Sequence, residues 1–131
     1  MKKLIVVLSF MVLGFNTYSQ VGLDENLTYI NKEYSGGELM SNPSGGYLYM
    51  YKSTDMQAYL VFLLDSKLVC YGTIVKPMSS LSLKYWKDNL SEKWVQINRK
   101  TWQLIRYDKK IAKCAISKDN EGKKVLLFTI N

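Results

Sequence analysis

The chain has 131 residues, 47% of them hydrophobic and 22% charged, with a net charge of +7. Those proportions fit a single globular domain and exclude a disordered, collagen-like or multi-span membrane protein. It has no histidine and only two cysteines, which closes the Ser-His-Asp and Cys-His nucleophile pairs, every histidine metal site and a four-sulfur zinc site.

The first nineteen residues read as a signal peptide. Lys2 and Lys3 are followed by an apolar run from Leu4 to Phe15, and Thr17 and Ser19 supply small residues at positions −3 and −1 before Gln20. The run is too short for a bilayer span, which takes about 20 apolar residues. The first cysteine is Cys70, so none stands after the run to carry a lipid. The expectation is an exported protein, periplasmic or secreted and not lipid-anchored, with residues 20–131 forming one α+β domain.

Leu23, Leu27, Ile30 and Tyr34 recur at helical spacing, with Asp24 and Glu25 suited to the first turn and Gly36-Gly37 to the end. Residues 35–46 hold four glycines and Pro43 and read as a loop. Strands are expected over 47–52, 57–64 and 67–76, with Asp65-Ser66 as a turn and Pro77 as a stop. A second helix starts near Ser79 or Ser80, with Leu83, Trp86 and Leu90 as its apolar stripe. Residues 92–98 fit helix or strand equally. Strands follow over 102–107, 111–117 and 124–130, separated by polar turns. The fold expected is α+β: an antiparallel sheet of about six to seven strands with two helices packed on it, in the order helix, three strands, helix, three or four strands.

Three local patterns leave alternatives open. Cys70 and Cys114 both share strand faces with apolar residues, which suits a disulfide or two buried thiols. Tyr47, Tyr49 and Tyr51 share a face that either packs inward under a helix, the reading preferred, or forms an outer platform. Asp88 and Glu92 stand four apart, as an acid/base pair would, but Lys84 and Lys93 beside them make a solvated helix face the better reading. No phosphate loop of the form Gly-x-x-x-x-Gly-Lys-Ser/Thr, no Ser-x-x-Lys and no calcium loop occurs.

Charge divides the chain. Residues 20–66 carry a net −4 and residues 67–131 a net +9. Arg99, Lys100, Arg106, Lys109 and Lys110 flank Trp102 and Tyr107, the pattern of a patch for an acidic ligand. The plain alternative is that turn lysines keep strand edges soluble and unpaired.

The Ser19-Gln20 junction, the aromatic hairpin of Tyr59 and Phe62 leading to Cys70, and the tryptophan strand at Trp102 resemble small uncharacterised exported proteins of the Bacteroidetes. The plan also resembles inhibitor-like and secretion-chaperone-like α+β folds. Neither resemblance implies an activity. The function expected is a non-enzymatic binding or inhibitor-like protein without cofactors; the alternative is a structural or assembly subunit of the cell envelope. Its partner would be an acidic protein, a glycan or an anionic membrane surface, and not nucleic acid.

Overall fold

The computed structural model describes residues 21–105 and 111–130. The expected signal peptide, the end of the strand expected over 102–107 and the turn expected at 108–110 lie outside the described residues. Among the described residues the elements follow in the order α1 (Leu27–Glu33), β1 (Glu38–Ser41), β2 (Tyr47–Ser53), β3 (Ala58–Leu64), β4 (Cys70–Pro77), α2 (Ser80–Lys93), β5 (Val95–Asn98), β6 (Thr101–Ile105), β7 (Ile111–Lys118) and β8 (Lys124–Ile130). The α+β class holds. The sheet has eight strands rather than six or seven, all antiparallel, in the order β1-β2-β3-β4-β8-β7-β6-β5.

That order is two copies of one plan. Each half is a helix followed by a four-stranded meander, and the halves join where β4 pairs with β8 through Gly72↔Thr129 to Val75↔Leu126. Helix α2 crosses from the sheet centre to the far edge, and the second meander then works back to the seam.

Both helices cover one face. The rung Phe62–Thr73–Phe128–Cys114–Trp102 runs across five strands on that side, and each of these residues is fully buried. Under α1, the Tyr34 ring lies 4.9 Å from Phe62 and 5.5 Å from Tyr51. Under α2, Phe128 lies 6.3 Å from Trp86 and 5.6 Å from Trp94, both edge-on. The Trp86 Nε1–H donates to the Met56 carbonyl at 3.0 Å, so the indole is buried with its polar handle satisfied. Gly22 sits at φ +76°, and a Cβ there would stand 2.8 Å from the Phe62 ring. The incoming segment therefore needs glycine for both its conformation and its closeness to the core.

Several expectations shift. Helix α1 begins at Leu27, not Leu23, because Asn26 caps it, its Oδ1 accepting from the Tyr29 N–H at 2.9 Å. Asp24, at φ +67°, stands before the helix, and the first turn holds no acid. The loop expected over 35–46 contains β1. Residues 92–98 divide: α2 runs to Lys93, Trp94 caps it with its N–H bonded to the Leu90 carbonyl, and β5 follows. The start of α2 is as read, with Ser79 and Ser82 forming reciprocal side-chain-to-backbone bonds at 3.1 and 2.9 Å.

The tyrosines of β2 face the helix layer. Tyr49 is buried, and its hydroxyl lies 2.6 Å from the Tyr34 carbonyl and 2.9 Å from Asn31 Oδ1 while accepting from the Gly37 N–H at 3.0 Å. That network closes the end of α1 onto the sheet. Cys70 and Cys114 are free, buried thiols. They stand on β4 and β7 with β8 between. Two strand spacings, roughly 9–10 Å, exceed the ~7 Å Cα separation a disulfide allows.

Candidate binding site

The sheet face away from the helices breaks the usual rule for a half-covered antiparallel sheet, which alternates apolar inward with polar outward. Across its middle the outward row reads Met50–Val61–Ile74–Leu127–Ala115. Val61 is buried by its neighbours alone, while Met50 and Tyr59 are exposed.

At one end of the sheet this row opens into a wide cleft of about 1010 Å³. Met50, Tyr59, Val61 and Val125 contribute from the strands, Met78 from the β4–α2 link, and Leu83 from α2. Its rim is mixed, with Lys52, Lys76, Lys123 and Lys124 against Glu38, Asp119 and Glu121. Asp119 is already engaged. Its Oδ1 accepts from the backbone N–H groups of Glu121 and Lys123, each at 2.9 Å, and Lys76 Nζ lies 4.0 Å away. The Lys123 backbone bond above all holds this carboxyl below the usual range.

A smaller cleft of about 530 Å³ is lined by Lys87 of α2, Asn98 of β5, Arg99 and Lys100 of the β5–β6 turn, Ile116 of β7, and Lys124 of β8; Ile116 has the inward parity of Cys114, so this cleft lies on the helix side of the sheet. Lys124 belongs to both clefts. The second cleft has four cations and no acid in its lining. Among the described residues none of the four makes an ion pair. The turn that carries two of them is well held: the Lys100 N–H donates to Asn98 Oδ1 at 2.9 Å, and the Lys100 carbonyl accepts from Ile116 N–H at 2.9 Å.

The expected acidic-ligand patch is therefore partly assembled and partly corrected. Arg99 and Lys100 come together, joined by Lys87 and Lys124, which sequence order keeps far apart. Trp102 is fully buried, its Nε1–H 3.2 Å from Ser91 Oγ, and offers no surface to a ligand. Its inward parity on β6, shared with Leu104, was the available signal. Arg106, Tyr107, Lys109 and Lys110 lie outside the described residues. Asp88 is spent on Lys84 at 3.5 Å on an exposed helix face.

The two thiols are pushed up by burial, Cys114 furthest, and neither reaches the surface as a nucleophile. Among the described residues no cluster of three metal-ligating side chains forms, and no helix is long and apolar enough to cross a membrane. No family model matches the chain, and no significant likeness to a curated protein or a solved structure is found.

Proposed function

We propose that this is an exported, non-enzymatic binding protein whose ligand is acidic. One observation carries the reading: Lys87, Arg99, Lys100 and Lys124 converge on a single cleft without a compensating acid. Solvating lysines spread over turns and edges have no reason to converge. Four gathered cations repel one another, and an anion bound among them relieves that repulsion. The absence of histidine and the solvated setting of Asp88 support a binding rather than a catalytic role.

Calorimetric titration with heparin oligosaccharide and pyrophosphate tests this. Binding should weaken steeply with salt, since exposed charges are screened over about 8–10 Å. Arg99→Glu with Lys100→Glu should lower affinity at least tenfold, while Lys67→Glu, at the opposite end of the sheet, should not. If neither probe binds at low salt, the reading fails.

A second reading, an assembly subunit of the cell envelope, draws on the outward row Met50–Val61–Ile74–Leu127, because an apolar sheet face suits a protein contact. Sedimentation velocity separates the two: an assembly subunit self-associates with rising concentration and a ligand-binding monomer does not.

A further inference from the structure

We propose that the acidic ligand is an extended segment of a partner protein, added as one further strand along the free edge of β5 with its acids beside Arg99 and Lys100. This rests on the reading above and names the ligand's class, a polypeptide rather than a glycan or a free anion. β5 closes the sheet at one side and pairs with β6 alone. Its four residues are exposed along the whole length, Val95 at 68% and Ile97 at 54%. Natural edge strands are guarded by lysine, by proline or by a covering element. Val95-Gln96-Ile97-Asn98 has no charge and no proline, and its two β-branched side chains stand in water. A bulge at Ile97, between the pairs Gln96↔Trp102 and Asn98↔Thr101, interrupts the ladder to β6 and limits a guest to a short stretch.

The chemistry of the segment follows from what adjoins this edge. Asn98 ends β5 and also lines the basic cleft, and Arg99 and Lys100 follow it directly in the chain. Their turn is fixed by the Asn98–Lys100 and Lys100–Ile116 bonds before any ligand arrives, so little ordering is left to the moment of binding. Every strand pair in the sheet is antiparallel. A guest of the same sense starts beside Asn98 and ends beside Val95. Acids just before its extended run therefore lie alongside Arg99 and Lys100. In strand addition, main-chain bonds to the edge supply affinity and alternate side chains supply selectivity; here Val95 and Ile97 give those side chains an apolar surface. A glycan or a free phosphate would use the cations and leave the edge open. The other edge, β1, is equally exposed, but it begins with Glu38 and belongs to residues 20–66, whose net charge is −4. Like charge there disfavours an acidic segment.

The test is calorimetric titration of the peptide acetyl-Glu-Glu-Thr-Val-Thr-Val-amide, at low salt, into the protein purified from its native host. Alternate amides of an added strand face the edge. N-methylation of both threonines or of both valines, one set but not the other, should therefore weaken binding about tenfold through two lost hydrogen bonds. The Gln-Gln analogue should bind roughly tenfold more weakly than the parent. Val95→Ser with Ile97→Ser, both exposed positions, should lower peptide affinity about fivefold and leave pyrophosphate unchanged. Arg99→Glu with Lys100→Glu should weaken both. Backbone amide shifts on peptide binding should fall on residues 95–100. If pyrophosphate or heparin binds and the peptide does not, or if both methylated peptides match the parent, strand addition is wrong and the anion-binding reading stands. If the Gln-Gln analogue matches the parent, or the shifts centre on residues 38–41, the basic turn does not select the segment and the proposal is overturned. If the protein alone self-associates and Glu38→Lys abolishes this, the edge is filled by β1 of a second copy and the proposal is overturned as well. If nothing binds, both readings fall.

Discussion

Phe128 is the side chain on which both halves of the fold depend, and truncating it to alanine should come close to unfolding the protein. It is fully buried on β8, paired with Thr73 across the seam and with Cys114 on β7, and it receives Trp86 and Trp94 edge-on. A buried Phe→Ala change costs about 3–5 kcal/mol through lost transfer and the cavity left behind. Loss of two edge-to-face contacts, each about 0.5–1.5 kcal/mol, puts Phe128→Ala near the top of that range, about 4–5 kcal/mol. A domain of this size has about 5–15 kcal/mol in total. Guanidinium unfolding followed by tryptophan fluorescence measures the change, and the melting temperature should fall by roughly 12–20 °C. Phe128→Leu keeps most of the volume and should cost less than about 2 kcal/mol. Thr129→Ala, on the exposed side of the same strand, should stay within about 0.5 kcal/mol. A loss below about 1.5 kcal/mol for Phe128→Ala, with an unchanged denaturant slope, would refute the claim that this rung holds the halves together.

Other outcomes follow from the same contacts. Tyr49→Phe leaves the Gly37 N–H and the Tyr34 carbonyl without their partner and should cost about 1–3 kcal/mol by chemical denaturation. Ser79→Ala removes the α2 cap and should cost about 1 kcal/mol, with Ser82→Ala costing no more than that. Both thiols should resist a neutral-pH thiol reagent in the folded protein and react fully once it is denatured. Burial raises the folded thiol pKa of Cys114 above its unfolded value. Its contribution to stability is therefore complete below the unfolded pKa of about 8.5 and is lost as pH rises above that. Cys114→Ala should flatten the decline in melting temperature above pH 9, and an identical slope in the variant would count against the assignment.

What could be read without coordinates depended on whether a local pattern decided the outcome. Alternation marked β2, a dense apolar run marked β3, and Ser79 announced α2, because face periodicity, apolar clustering and cap chemistry are local. β1 was invisible for the opposite reason: Glu38-Leu39-Met40-Ser41 is an edge strand exposed along its whole length, so no alternation betrays it. Residues 92–98 were ambiguous because Trp94 and Ile97 fit a helical stripe as well as a strand; the cap at Trp94 decided between them. The basic cleft was half legible. Arg99 and Lys100 are neighbours in sequence, whereas Lys87 and Lys124 reach them only through the crossing of α2 and the return of β8. Trp102 was misjudged by its cationic neighbours, though three tryptophans in so small a domain favour burial.

The β4–β8 seam has a consequence for how the chain reaches its folded state. β8 is the latest of the eight strands to emerge and yet lies at the centre of the sheet, so the first meander waits with its inner edge unpaired. Pairing residues 72–75 with 126–129 is a long-range closure, which slows folding relative to local contacts. Until it happens, β4 presents a free edge and the apolar side of Phe62 and Val75 is half covered. Such a chain stays open until its last strand has been made and has found the seam. It is also then most in need of a holdase, since an uncovered strand edge is what misassembles.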